Sequence, residues 1–221
     1  MFRTLVVATF GLTALGFVAA QDVKVGTQPG ETLPGPFRAL VVTGPTAPAS
    51  PEGLLPEERQ NLGDPGRVQK FHDFVTRYAL DPVVAVFSHE PPPAADQPLA
   101  KLFKDLDQAV EKYRTSRLHA FGVFLTLRGE FHRDETLTSQ VKQIEAFAQQ
   151  AALKNVPLAL DQVESERTKA YRIAPVDTVT VIIYSNQVVR ARFTFTADKP
   201  LDDAGVQAIL AEVTKLAAPK R

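Results

Sequence analysis

Two stretches of the chain are apolar almost without interruption, Pro82-Val-Val-Ala-Val-Phe87 and His119-Ala-Phe-Gly-Val-Phe-Leu-Thr-Leu127. Runs of this length without polar alternation read as strands covered on both faces by helices. Between them Leu99, Leu102, Phe103, Leu106, Val110 and Tyr113 recur at helical spacing. They predict a helix over Pro98 to Arg114, with Asp96 as N-cap and Pro98 in the first turn, where its missing N–H costs nothing. After the second run, Leu137, Val141, Ile144, Ala148 and Ala151 predict a second helix from about Glu135 to Leu153, and Pro157 to Leu160 a short third strand. Thr178 to Tyr184 and Val188 to Thr196, joined by a turn at Ser185-Asn186, predict a hairpin. Its second strand sets Val189, Ala191, Phe193 and Phe195 against Arg190, Arg192, Thr194 and Thr196. That alternation implies one buried face and one wet face, with Arg190, Arg192 and Lys199 forming a small basic edge. Asp202 then caps a last helix bearing Val206, Ile209, Leu210, Val213 and Leu216. Strand, helix, strand, helix, hairpin and helix make an α/β order whose first half is parallel.

The first eighty residues have a different texture. Prolines and glycines from Pro29 to Gly66 forbid long helices and central strands. Phe37 to Thr43 is predicted as one short strand, Pro45 to Pro65 as an exposed loop with a helical turn at Glu57-Glu58-Arg59. Val68, Phe71, Phe74, Val75 and Tyr78 predict a short amphipathic helix within Arg67 to Leu80, ending before Pro82. Met1 to Ala20 carries Arg3, an apolar run from Leu5 to Phe17 and the small-residue end Val18-Ala19-Ala20. This reads as a secretory signal cleaved after Ala20, its run shorter than the ~20 residues of a membrane-spanning helix. Retention as an amino-terminal anchor is the other reading. The expected organisation is a signal peptide over 1–20, a Pro/Gly-rich extension with a short strand and short helix over 21–80, and an α/β domain over 81–221. The expected location is periplasmic or secreted, with no membrane contact after cleavage.

Composition narrows the chemistry. The 221 residues hold 25 Lys and Arg against 25 Asp and Glu, so no basic surplus marks a nucleic-acid partner. Cysteine is absent. That excludes disulfides, thiolate nucleophiles, zinc–thiolate and iron–sulfur ligation, and lipidation of an exported chain at a cysteine. Neither a Gly-x-Gly-x-x-Gly loop, a Walker pattern nor Gly-x-Ser-x-Gly occurs, so no nucleotide cofactor or serine nucleophile is expected, and no other cofactor is.

Val156-Pro157-Leu-Ala-Leu-Asp161, then Ala170-Tyr171-Arg-Ile173, then Thr178 to Val189 with its polar turn, together with Val25-Gly26 ahead of a proline-rich loop, resemble exported thioredoxin-like and peroxiredoxin-like families. The resemblance spans about Val23 to Leu216 and implies a thioredoxin-like fold with a mixed central sheet. In those families a catalytic cysteine opens the helix after the first core strand, where backbone N–H groups stabilise a thiolate. Here that stretch reads Ser88-His89-Glu90-Pro91-Pro92-Pro93. The family's cis-proline before the hairpin falls near Asp177-Thr178, with Pro175 two residues earlier. A cysteine pair that some exported members carry before the first core strand falls on Asp73 and Thr76. The resemblance thus implies a member without redox chemistry.

Three functional readings follow. The first is a non-catalytic module that binds a protein or peptide at its loop face. The alternative is a non-thiol enzyme or metal-binding protein using His89 and Glu90, which lie at the carboxyl end of a core strand, where ligands bind in open α/β sheets. His72 with His89 is the candidate metal pair, His72 or Asp73 the candidate contribution from the earlier segment, and convergence of these side chains is the criterion. A scaffold role is a third reading. His119 is expected at the mouth of its strand and His132 in a charged loop.

Overall fold

In a computed structural model, residues 26–44, 70–126 and 134–218 are described. The signal segment, the 45–65 loop, Val68 and His132 lie outside them. The chain runs β1 (Arg38–Thr43), β2 (Phe71–Asp73), α1 (Phe74–Tyr78), β3 (Val83–Ser88), α2 (Pro98–Lys112) and β4 (His119–Thr126), followed by α3 (Asp134–Gln150) and β5 (Leu158–Gln162). It continues through α4 (Glu166–Ala170), β6 (Asp177–Ser185), β7 (Val188–Thr196) and α5 (Asp203–Ala217).

All seven strands join one sheet in the order β2-β1-β5-β4-β3-β6-β7. β3, β4 and β5 are parallel, and β1, β2, β6 and β7 pair antiparallel. The two unbroken apolar runs become β3 and β4, side by side and buried almost throughout, because each face of the sheet carries its own core. One face is closed by Leu102, Phe103 and Leu106 of α2, Ile144 and Phe147 of α3, and Val206, Ile209 and Val213 of α5. Gly122 on β4 allows this closure: a Cβ there would come within 2.7 Å of the Phe103 ring. The other face holds Phe37, Phe74, Tyr78, Phe121 and Tyr171. Phe74 stacks on Phe121 with centroids 4.6 Å apart. Each such fully buried ring contributes about 2 kcal/mol of hydrophobic stabilisation.

The structure departs from the pattern in six places. The helix expected over 67–80 is a strand for three residues and a helix for five, because Arg38 to Leu40 of β1 offer Phe71 to Asp73 a pairing edge. Asp73 ends that pairing by capping α1, its Oδ1 accepting from the Val75 and Thr76 N–H groups. The strands β1 and β2, from the proline- and glycine-rich segment, belong to the same sheet as the rest. Asp96 does not cap α2; Gln97 holds the N-cap position without a side-chain bond, and Pro98 starts the helix. The polar stretch after β5 contains α4, capped by the Ser165 hydroxyl, which accepts from Thr168 N–H. The hairpin turns on Asn186 and Gln187, both at positive φ (53° and 60°), one residue later than Ser185-Asn186. Finally, a register shift between Ile183 and Tyr184 breaks the alternation of β7. Val189 then joins the same core face as Tyr184, and Arg192 is drawn in beside it. Its guanidinium donates to Thr27 Oγ1 and to the Tyr171 and Arg172 carbonyls, tying the segment before β1 and the turn after α4 to the hairpin. Arg190 alone of the two arginines is exposed.

Candidate functional site

The parallel strands end together at one pole of the sheet, where the residues following β3 line a cleft. Ser88 is buried, and its hydroxyl donates to the Glu90 carbonyl over 3.1 Å, turning the chain out of the strand. Three prolines follow, and a turn in which Gln97 N–H donates to the Ala94 carbonyl leads into α2. This loop leaves a cleft of about 520 Å³ against α3. Its floor is Phe124, Ile144, Phe147 and Leu160, from β4, α3 and β5. Gln140, Gln143 and Gln150 line its wall from one face of α3, at spacings of three and seven residues. Gln140 is anchored, its amide donating to Thr126 Oγ1 over 2.6 Å.

His89 sits half-buried in this cleft, and its Nε2 is buried with no hydrogen-bond partner among the described residues. Burial lowers its pKa below the usual imidazole value, against the opposing charges of Asp177 and Glu90. The ring is therefore neutral at neutral pH. Glu90 is exposed at the rim, and no lysine or arginine lines the cleft among the described residues.

Beside this loop, β6 pairs with β3 so that Ser88 faces Val179. Asp177, just before, is buried; its Oδ2 accepts from Ala174 N–H over 2.9 Å and its own N–H donates to the Ala174 carbonyl. A carboxylate thus locks the loop that leads into the hairpin. Thr178 Oγ1 donates to the Phe195 carbonyl. Pro175 and Val176 of the same loop are exposed, and no cis peptide occurs among the described residues.

No family model matches the chain, and no curated protein sequence matches it. Solved structures do. AhpC of Mycobacterium bovis aligns over 88% of this chain and 94% of its own, at 12% identity and a TM-score of 0.54. Peroxidoxin BcpB of Mycobacterium tuberculosis aligns over 86% and 98%, at 14% identity and 0.53. An uncharacterized conserved protein of Geobacillus kaustophilus aligns over 88% and 87%, at 13% identity and 0.54. The fold is thioredoxin-like.

This thioredoxin-like chain has no cysteine with which to do thiol chemistry. At the position after the first core strand stand His89, Glu90, Pro91, Pro92 and Pro93, all of which line the cleft. At the second family position, Asp73 spends its carboxylate on backbone: besides capping α1, Oδ1 accepts from Phe37 N–H over 3.0 Å. Thr76 is exposed on that short helix. Phe74 and Tyr78 of α1 pack in the core of the sheet face opposite the cleft, so Asp73 and Thr76 do not share the site with His89. His72 lies on β2, its ring edge-on to Phe74 and its Nε2 3.5 Å from Arg77. β2 and β3 are first and fifth in the sheet, roughly 19 Å apart at the usual strand spacing. The structure therefore does not bring His72 and His89 together as a metal pair. Among the described residues, no three His, Asp or Glu side chains are placed to share a metal ion.

His119 serves the fold. Its ring stacks on Tyr78 with centroids 4.1 Å apart, and Nε2 lies 3.1 Å from Asp81 Oδ2. Burial lowers its pKa, overriding the pull of Asp81, with Arg117 and Arg77 adding to the lowering. Unfolding restores the ordinary value, so below about pH 6.5 the unfolded chain holds more protons than the folded one. Stability is then complete above pH 6.5 and is lost as the pH falls toward the folded pKa. His89 acts in the same direction. The unfolding free energy from urea titration is expected to drop between pH 7.5 and pH 5.5, by less than about 1.4 kcal/mol per histidine per pH unit, with a shallower slope in His119→Gln. An unfolding free energy that rises on acidification would contradict this assignment.

The glutamine wall was the part of the site that the hydrophobic pattern did not mark. Its one signal is that Gln140, Gln143 and Gln150 flank the apolar stripe of α3 formed by Ile144 and Phe147.

Proposed function

We propose that this is an exported thioredoxin-fold protein that binds a protein or peptide segment, without catalysis, in the cleft beside His89. One observation carries the reading: an apolar floor, a wall of primary amides and a buried imidazole nitrogen without a partner converge on one cleft of about 520 Å³. That volume suits a few side chains of an extended segment. Primary amides pair with a peptide backbone in both senses, donating and accepting. An orphaned buried polar atom is rare in a native fold, and a bound partner is one way to satisfy it. The run from Arg3 to Ala20 supports export. No described helix is long and apolar enough to cross a membrane.

The test is selection of random peptides on the folded chain, followed by anisotropy titration of those enriched. Ala146 lines the cleft from an exposed helical position, so Ala146→Trp fills the cleft without disturbing the core. Binding should weaken at least tenfold in that variant. Equal binding by both proteins would remove the cleft from the account.

A second reading, metal or acid–base chemistry at His89 and Glu90, draws on the two carboxylate charges around the imidazole. It asks for a carboxylate or ligand holding the ring, and Nε2 has no such bond among the described residues. Calorimetric titration with zinc and copper(II) separates the two readings. No stoichiometric heat is expected; heat that vanishes in His89→Ala would favour the second.

A further inference from the structure

Among the described residues that line the cleft, the charge is one-sided. Glu90 stands at its rim and Asp177 acts on His89 from behind, while the described lining includes no lysine or arginine. The glutamines of α3 are neutral, and the floor is apolar. Burial keeps His89 uncharged at neutral pH, so it adds no positive field of its own. An acidic segment entering here would meet repulsion that no lysine or arginine of the described lining offsets, and a basic one would meet complementary charge at the rim. The apolar floor asks in turn for a hydrophobic side chain beside the charged one.

We propose that the cleft selects a basic, apolar peptide segment, with a lysine or arginine against Glu90 and a neighbouring apolar side chain on the Phe124–Phe147 floor. This deepens the peptide-binding reading above and rests on it. The occupant is a segment of another protein, held extended along the glutamine face of α3. Its recognition weakens with salt because the Glu90 side chain is exposed.

The experiment uses three acetylated, amidated heptapeptides bearing an uncharged fluorophore, alike except that two positions are both lysine, both glutamine or both glutamate, with leucine between them. Anisotropy is read on the full folded chain at 20 and 200 mM salt. The lysine peptide should bind at least fivefold tighter than the glutamate peptide at low salt, with glutamine between and the gap narrowing at high salt. Glu90→Lys, a change at the exposed rim, should reverse the order, and Ala146→Trp should abolish all three. Equal affinities that Ala146→Trp still abolishes would overturn the charge selection and leave peptide binding standing. A lysine preference that survives Glu90→Lys would overturn the assignment to this rim. Failure of the wild-type chain to bind any of the three would overturn both the selection and the reading beneath it.

Discussion

Replacing Asp107 by alanine is expected to destabilise the fold by about 3 kcal/mol, although the residue lies far from the cleft mouth. Asp107 is buried on α2, and its Oδ1 accepts from three successive backbone N–H groups: Lys154 at 2.9 Å, Asn155 at 2.6 Å and Val156 at 3.1 Å. Asn155 Nδ2 adds a bond to Oδ2. One carboxylate therefore shapes the whole approach to β5, and β5 supplies Leu160 to the cleft floor. A hydrogen bond to a charged group contributes ~1.5–3 kcal/mol, and a buried N–H left without a partner adds its desolvation cost. The exposed end of the turn can be rehydrated, which keeps the total from tripling. Asp107→Asn retains an acceptor oxygen in place and should lose only about 1 kcal/mol. Urea unfolding of the two variants measures the difference; equal losses would show that the carboxylate charge and not the acceptor geometry holds the turn.

Arg167→Met should cost about 3 kcal/mol, for a different reason. Asp161 of β5 is 1% exposed and carries a bidentate pair with Arg167, Nη2 to Oδ1 at 2.9 Å and Nε to Oδ2 at 3.2 Å. The pairing raises the guanidinium pKa, through the hydrogen bond to Asp161 first. Removing the cation strands a buried carboxylate, a loss of ~3–5 kcal/mol in known cases. The lower end applies because the Arg167 side chain is 38% exposed, and solvent screens part of its charge. Asp161→Leu in the same chain should recover most of the loss, since an apolar pair of similar volume is often neutral. A double variant no more stable than Arg167→Met alone would show that the Ser165 bond and the α4 turn, not the stranded charge, carry the cost.

The backbone plan is readable wherever a local pattern and its tertiary environment agree. β3 and β4 are continuous apolar runs because both faces of the sheet are covered, and Asp202 sits one residue ahead of α5 with its Oδ1 accepting from Gly205 N–H. Helical spacing misleads between Phe71 and Tyr78, because it does not record that β1 presents a free edge to those residues. α4 has only Thr168 buried, so no apolar periodicity announces it. Arg192 looks like a solvent-facing residue until the bulge near Arg190 redirects the strand. The site follows the same rule. His89 and Glu90 stand out because the end of a core strand is a place of known consequence. Asp107 does not, since its partners lie 47 to 49 residues away, and glutamines on a helix look the same whether they face water or a ligand.

The most direct test of binding at this cleft reads His89 itself. The chain has four histidines, so 15N labelling of the imidazoles gives four assignable sets of side-chain resonances. On titration with the lysine heptapeptide, the Nε2 resonance of His89 should shift to the position of a hydrogen-bonded ring nitrogen, saturating at the anisotropy midpoint. His119, held between Tyr78 and Asp81 at the other end of β4, should stay where it is. A peptide that saturates by anisotropy and leaves His89 unmoved would contradict the account.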